Sequence, residues 1–171
     1  MTSGTRTLYR IDDVVRRLED SLRDLEFGLG MVPPQWTHAA VPGAPDDSWT
    51  AAMNLAHLAI YEEVTAIAML RSFEPGFDLA GARRGGDESW FSEQAIAISE
   101  QPAAAILDRL RAARSAQIDL VRQLGEERLN SGVTPLWPDP NHTAGWVATK
   151  TIQHTWEHGN TILRVALFAP R

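Results

Sequence analysis

Apolar residues recur along this chain at steps of three and four, not in alternation, and the spacing predicts four long helices and no strand. From about Thr7 to Phe27, the residues Leu8, Ile11, Val14, Val15, Leu18, Leu22 and Leu25 form one stripe, with charges filling the positions between. That is an amphipathic helix with one wet face. Gly28 and Gly30 are expected to end it, and Pro33-Pro34 to prevent its continuation. The second helix is expected to start near Ser48 or Thr50, either of which can cap free backbone N–H groups. It runs to about Phe73, ahead of Pro75-Gly76, and is apolar on nearly every side, as suits a helix in the middle of a bundle.

The segment 74–98 is too long for a tight helix–helix turn. It allows the helices on either side to run parallel, as a crossover does, and Ser89 to Ile98 has room for a short extra helix. The third main helix is expected from Ser99 or Pro102 to about Leu124, with Ile106, Leu107, Leu110, Ala113, Gln117, Leu120, Val121 and Leu124 as its stripe. The fourth runs from about Thr143 to Phe168 with Asn141 or Thr143 as its cap. Its polar residues Lys150, Gln153, Glu157, Asn160 and Arg164 fall on one narrow stripe, which leaves the rest of the helix buried. The expectation is an all-α chain folded as a single domain over residues 1–171.

Composition narrows the function classes. With 44% apolar and 22% charged residues over 171 positions, the chain can bury a core without help from cross-links. A net charge of −6 gives no general attraction for phosphate backbones, so no nucleic-acid partner is expected. There is no cysteine, which excludes disulfides, thiolate metal ligands and a cysteine nucleophile. Ten charges between Arg10 and Glu26 are incompatible with the apolar core of a signal peptide. No apolar run reaches membrane-spanning length once Glu62, Glu63 and Arg71 are counted. A cytoplasmic location is expected.

Three of the five histidines lie within the two most buried helices. His154 and His158 are four apart, so their side chains stack on one face, about 5–6 Å apart at the Cβ atoms. They lie on the side of Val147, Ile162 and Val165, off the polar stripe. His57 shares its face with Met53, Val64 and Ala68, so it too is expected to point inward. Three inward imidazoles make a poor core, because their ring nitrogens need partners. A divalent ion satisfies them together, and three histidines with further positions open is the pattern of a reactive metal site. Three core histidines satisfied by ordinary hydrogen bonds is the competing reading.

The segment Trp49-Thr50, then Asn54-Leu55-Ala56-His57-Leu58, then Glu62, resembles the second helix of the DinB/YfiT-like family. There, a tryptophan and a serine or threonine open the helix, and the metal histidine follows eight residues after the tryptophan. His154-Thr155-Trp156-Glu157-His158 is similar to the family's fourth-helix pair, and Trp90 through Ala113 to its short helix leading into helix three. The resemblance implies a four-helix up-down-down-up bundle with a long crossover between helices 2 and 3. It also implies a divalent transition metal (zinc, nickel or iron) on His57, His154 and His158. Relatives of this kind use a low-molecular-weight thiol as transferases or isomerases, and several are dimers. The implied partners are thus a small-molecule substrate and a second copy of the chain.

Several other residues are candidates. Tyr61, one turn after His57, is placed to donate a proton or orient a bound water, and Asn54, one turn before it, to border the site. Thr151 and Thr161 share the histidine face and are expected to hydrogen-bond an imidazole. Arg83 and Arg84, with Trp36, Trp90, Trp137 and Trp146, offer a lid and rim for an anionic substrate, or else solvated arginines and tryptophans that cap the core. His38 and His142 are expected to be exposed loop residues. His154-x-x-Glu157-His158 also matches an inverted zinc-protease motif, but Glu157 falls on the polar stripe. No histidine has a glutamate three residues before it, which argues against a ferritin-like di-iron centre. The alternative to an enzyme is a bundle that sequesters a small molecule and keeps a structural or vestigial metal.

Overall fold

The computed structural model describes residues 8–41, 49–78 and 88–170, which hold helices and no strand. In chain order these are α1 (Ile11–Gly30), a short 3-10 turn (Pro34–Trp36), α2 (Ala51–Ile60), a π-helical turn (Tyr61–Ala66), α3 (Ile67–Arg71), α4 (Glu88–Ser99), α5 (Ala103–Asn130) and α6 (Ala144–Phe168). The α2, π and α3 segments follow without a break and correspond to the expected second helix. Thr50 caps it, its hydroxyl accepting from the Met53 N–H at 3.1 Å. Thr143 caps α6 in the same way, accepting from the Trp146 N–H at 3.3 Å. The short helix foreseen at Ser89–Ile98 is α4. Among the described residues, no helix is long and apolar enough to cross a membrane.

Two helix ends differ from expectation. Gly30 is the last residue of α1, as expected, but Gly28 lies within the helix. Gly28 is buried against α6, where a Cβ would make only ordinary contacts, 3.9 Å from the Gly159 carbonyl oxygen and 4.0 Å from the Leu163 Cβ. The third main helix continues past Leu124 to Asn130, through a break at Gly125, whose φ of 74° only glycine adopts without strain.

Contacts fix how the helices run. Tyr61 meets His154 while Trp49 meets His158, so α2 and α6 are antiparallel. Glu63 pairs with Arg109, and the Phe73 carbonyl accepts from Arg128, so the second helical run and α5 are parallel. α1 packs most extensively on α6, and α4 lies over α2. Ala51, Leu55, Ala59, Phe91, Ile98 and Ile106 belong to one core cluster around α2. Val14, Leu18, Leu70, Val121, Leu129 and Val147 belong to a second, at the other end.

Candidate metal centre

The histidines gather where α2 and α6 face each other. His57 Nε2 lies 3.2 Å from His154 Nε2, and His154 Nε2 lies 3.2 Å from His158 Nε2. One nitrogen from each ring falls within 4.8 Å of the others. Three nitrogens bound at 2.0–2.1 Å to one tetrahedral ion would sit about 3.3 Å apart, so the donor set fits a divalent metal. All three rings are half-buried.

Asn54 orients one of them. Its Nδ2 donates to the Thr50 carbonyl at 2.9 Å, which turns Oδ1 toward His158 Nδ1 at 2.8 Å. Nδ1 must therefore carry the proton, leaving the Nε2 lone pair free for a ligand. The Nδ1 atoms of His57 and His154 are buried and have no hydrogen-bond partner. Burial pulls all three imidazoles below the ordinary histidine value. His154 falls to about 3, with the positive forms of His158, His57 and Lys150 adding to the desolvation. His158 falls to about 4 through burial and then His57. At neutral pH the cluster is uncharged, which is the ligating form.

Aromatic rings enclose the cluster. Tyr61 lies on His154 with ring centroids 4.2 Å apart, and Trp49 stands edge-on to His57 at 5.3 Å. Phe91, from α4, lies 6.3 Å from His57. Burial, with the charges of Glu62 and Glu157 behind it, pushes the Tyr61 hydroxyl well above its usual value, so it stays protonated at neutral pH.

Glu62, five residues after His57, faces elsewhere. Arg114 Nε and Gln117 Nε2 donate to its Oε2 at 2.9 and 2.5 Å, and Arg114 Nη2 donates to Oε1 at 2.5 Å. Arg114 also donates to Ser21 Oγ at 2.9 Å, to Thr155 Oγ1 at 2.8 Å and to the Leu18 carbonyl. Burial pushes the Glu62 carboxyl up and Arg114 pulls it back; three donors on its two oxygens mark it as ionised. The signal for this network was in the sequence: Ser21, Arg114 and Gln117 all interrupt apolar stripes.

Other candidates fare differently. Thr151 donates to Gln117 Oε1 and to the Val147 carbonyl, and Thr161 to the Glu157 carbonyl, so neither reaches an imidazole. His38 is exposed as expected and donates from Nδ1 to the Ser99 carbonyl at 2.9 Å. His142 is buried instead. It stacks on Trp146 at 3.7 Å, and its Nδ1 donates to the Trp137 carbonyl at 3.0 Å. Trp137 and Trp146 therefore belong to a cluster at the start of α6. Arg83 and Arg84 lie outside the described residues.

A family model described as the DinB superfamily matches residues 10–162, nearly the whole chain. No curated protein and no solved structure matches it.

Proposed function

The chain belongs to the DinB superfamily, and from that premise we propose that His57, His154 and His158 hold a divalent transition metal in a metal-dependent enzyme acting on a small electrophile. Zinc, nickel or iron suits three imidazoles, and a low-molecular-weight thiol is the proposed cosubstrate. The observation that carries this reading is the meeting of three Nε2 atoms at ligand spacing, in rings held neutral by burial. When bound, the ion supplies Lewis acidity, lowering the pKa of a thiol or water. Asn54 holds His158 in the tautomer that presents Nε2. Tyr61, kept protonated beside His154, offers a hydroxyl donor to a substrate, and Trp49 and Phe91 exclude water from the cluster.

The same reading arranges the long helices as an up-down-down-up bundle and places the protein in the cytoplasm as a homodimer. Phe27, Trp156 and Leu167, all exposed on α1 and α6, suit a subunit contact. One observation favours a second reading, a sequestering bundle: the buried carboxylate nearest the cluster in sequence, Glu62, is committed to Arg114 and Gln117 and does not act as a base. The test is elemental analysis of untagged protein. About one transition-metal ion per chain, lost on His158→Ala, is expected. A chain that neither carries nor takes up zinc, nickel or iron would reject the metal reading.

A further inference from the structure

Two helical segments carry the three histidines, the run from α2 through α3 and α6; α5 carries none. Yet α5 supplies the side chains that join the other two. Arg114 Nη2 donates to Glu62 Oε1 at 2.5 Å and to Thr155 Oγ1 at 2.8 Å, so one nitrogen bridges the second helical run and α6. Gln117, three residues further along the same face, makes a second bridge. Its Nε2 donates to Glu62 Oε2 at 2.5 Å, and its Oε1 accepts from Thr151 Oγ1 at 3.1 Å. Glu62, Arg114, Gln117, Thr151 and Thr155 are each 1% exposed or less.

These bridges stand beside the ligands. Glu62 follows His57 by five residues, and Thr155 is the residue after His154. The hydrogen bond from His158 to Asn54 ties the same two segments again. That tie, and the one from Glu62 through Gln117 to Thr151, bracket His57 on one helix and His154 on the other. These two rings are the ones that need it. Their Nδ1 atoms have no hydrogen-bond partner, so no contact at the far nitrogen fixes where Nε2 points, and the helix beneath each ring must do so. A metal site requires ligand distances within about 0.2 Å, a tolerance that non-directional apolar packing does not set alone and that hydrogen bonds do.

We propose that Arg114 and Gln117 are positioning residues for the metal centre: by clasping Glu62 to Thr155 and Thr151 they hold His57 and His154 at ligand distance. This rests on the histidines being metal ligands.

The test removes one tie and leaves the buried carboxylate paired. Thr155→Val is nearly isosteric and takes away one acceptor, while Arg114 still donates to both oxygens of Glu62. Cobalt(II) binding to the full chain is followed by titration and by d–d absorbance, which reports coordination geometry. Affinity is expected to fall about tenfold, the low end for loss of a group behind a ligating histidine, and the absorbance to change in shape. Thr155→Ser keeps the hydroxyl and should restore both. Val14→Ala thins the other core cluster without touching the clasp, so it should lower the urea midpoint and leave cobalt affinity and spectrum as in wild type. Should Thr155→Val fail to fold, Thr151→Val, which breaks only the Gln117 tie, decides in its place, with Thr151→Ser as its rescue. Wild-type affinity and spectrum in the valine variant, no recovery with serine, or an equal loss in Val14→Ala each overturns the positioning role while the metal reading stands. Failure of the wild type to take up cobalt overturns the metal reading and this inference with it.

Discussion

Two polar clusters begin five residues apart on one helical run and are built on opposite terms. At Glu62 each carboxylate oxygen has a donor, and the arginine opposite is held by α1, the π turn and α6 together. At His57 three rings converge with two buried ring nitrogens unmatched. A satisfied buried network fixes a structure, whereas an unsatisfied one leaves capacity for something else to bind. The first cluster is fully enclosed, with Glu62 and Arg114 0% and 1% exposed, and the second is half-open. The π turn starts between them; within it Tyr61 faces α6 and Glu62, its neighbour, faces α5. Wide turns of this kind gather at functional sites.

The largest effect should come from breaking the satisfied cluster. Arg114→Ala strands the Glu62 carboxylate in the core and should lower stability by about 3–5 kcal/mol, read from urea unfolding at pH 7. His154→Ala should behave in the opposite sense. Without metal it removes an unmatched ring, so the apo variant should unfold at nearly the wild-type urea midpoint or above it. Zinc at 100 times its dissociation constant should stabilise the wild type by about 2.7 kcal/mol and the variant not at all. Equal zinc stabilisation of both would remove His154 from the ligand set.

Smaller effects sharpen the contrast. Asn54→Ala should weaken metal binding about 10–100-fold, the usual cost of losing an outer partner of a ligating histidine, with helicity by circular dichroism unchanged. Asn54→Asp keeps an acceptor for Nδ1 and should recover part of that loss. The smallest is a pH effect on the apo protein. The folded-state pKa of His154 lies near 3, below the ordinary 6.5, so an unfolded chain binds its proton first. Stability is therefore full above pH 6.5 and falls as pH drops toward 3; at pH 5.5 this histidine alone should account for about 1 kcal/mol. The wild-type decline between pH 7 and 5.5 should be shallower in His154→Ala. Identical slopes would contradict the lowered pKa.

The sequence disclosed helices and the histidine trio because both are periodic. Apolar steps of three and four place α1, α5 and α6, and a four-residue step with an apolar flank places His154 and His158 on one buried side. What it hid depends on chain segments meeting at a distance. Gly28 reads as a terminator until Gly159 and Leu163 stand opposite it. Thr151 and Thr161 share the histidine face, but their hydroxyls bond carbonyls four residues back, which is nearer than any imidazole. Nothing in Tyr61–Ala66, which lacks glycine and proline, announces a π turn. Glu62 and Arg114 each look misplaced alone, and only the parallel run of their helices makes them a pair. His142 reads as a loop residue because the stacking Trp146 belongs to the next helix.

The extensive packing of α1 on α6 bears on the timing of folding. Tyr9 is bound both ways to Asn130: its N–H donates to Asn130 Oδ1 at 2.7 Å, and Asn130 Nδ2 donates to its carbonyl at 2.9 Å. Its ring covers Gly145, where even a methyl group would collide at 2.3 Å. The earliest described helix thus finds its main partner in the last one. During synthesis α5 can cover part of α1, but the most extensive cover for its apolar stripe waits until α6 has left the ribosome. Most helical proteins form rapidly from neighbouring segments, whereas this one is completed by its most distant contact.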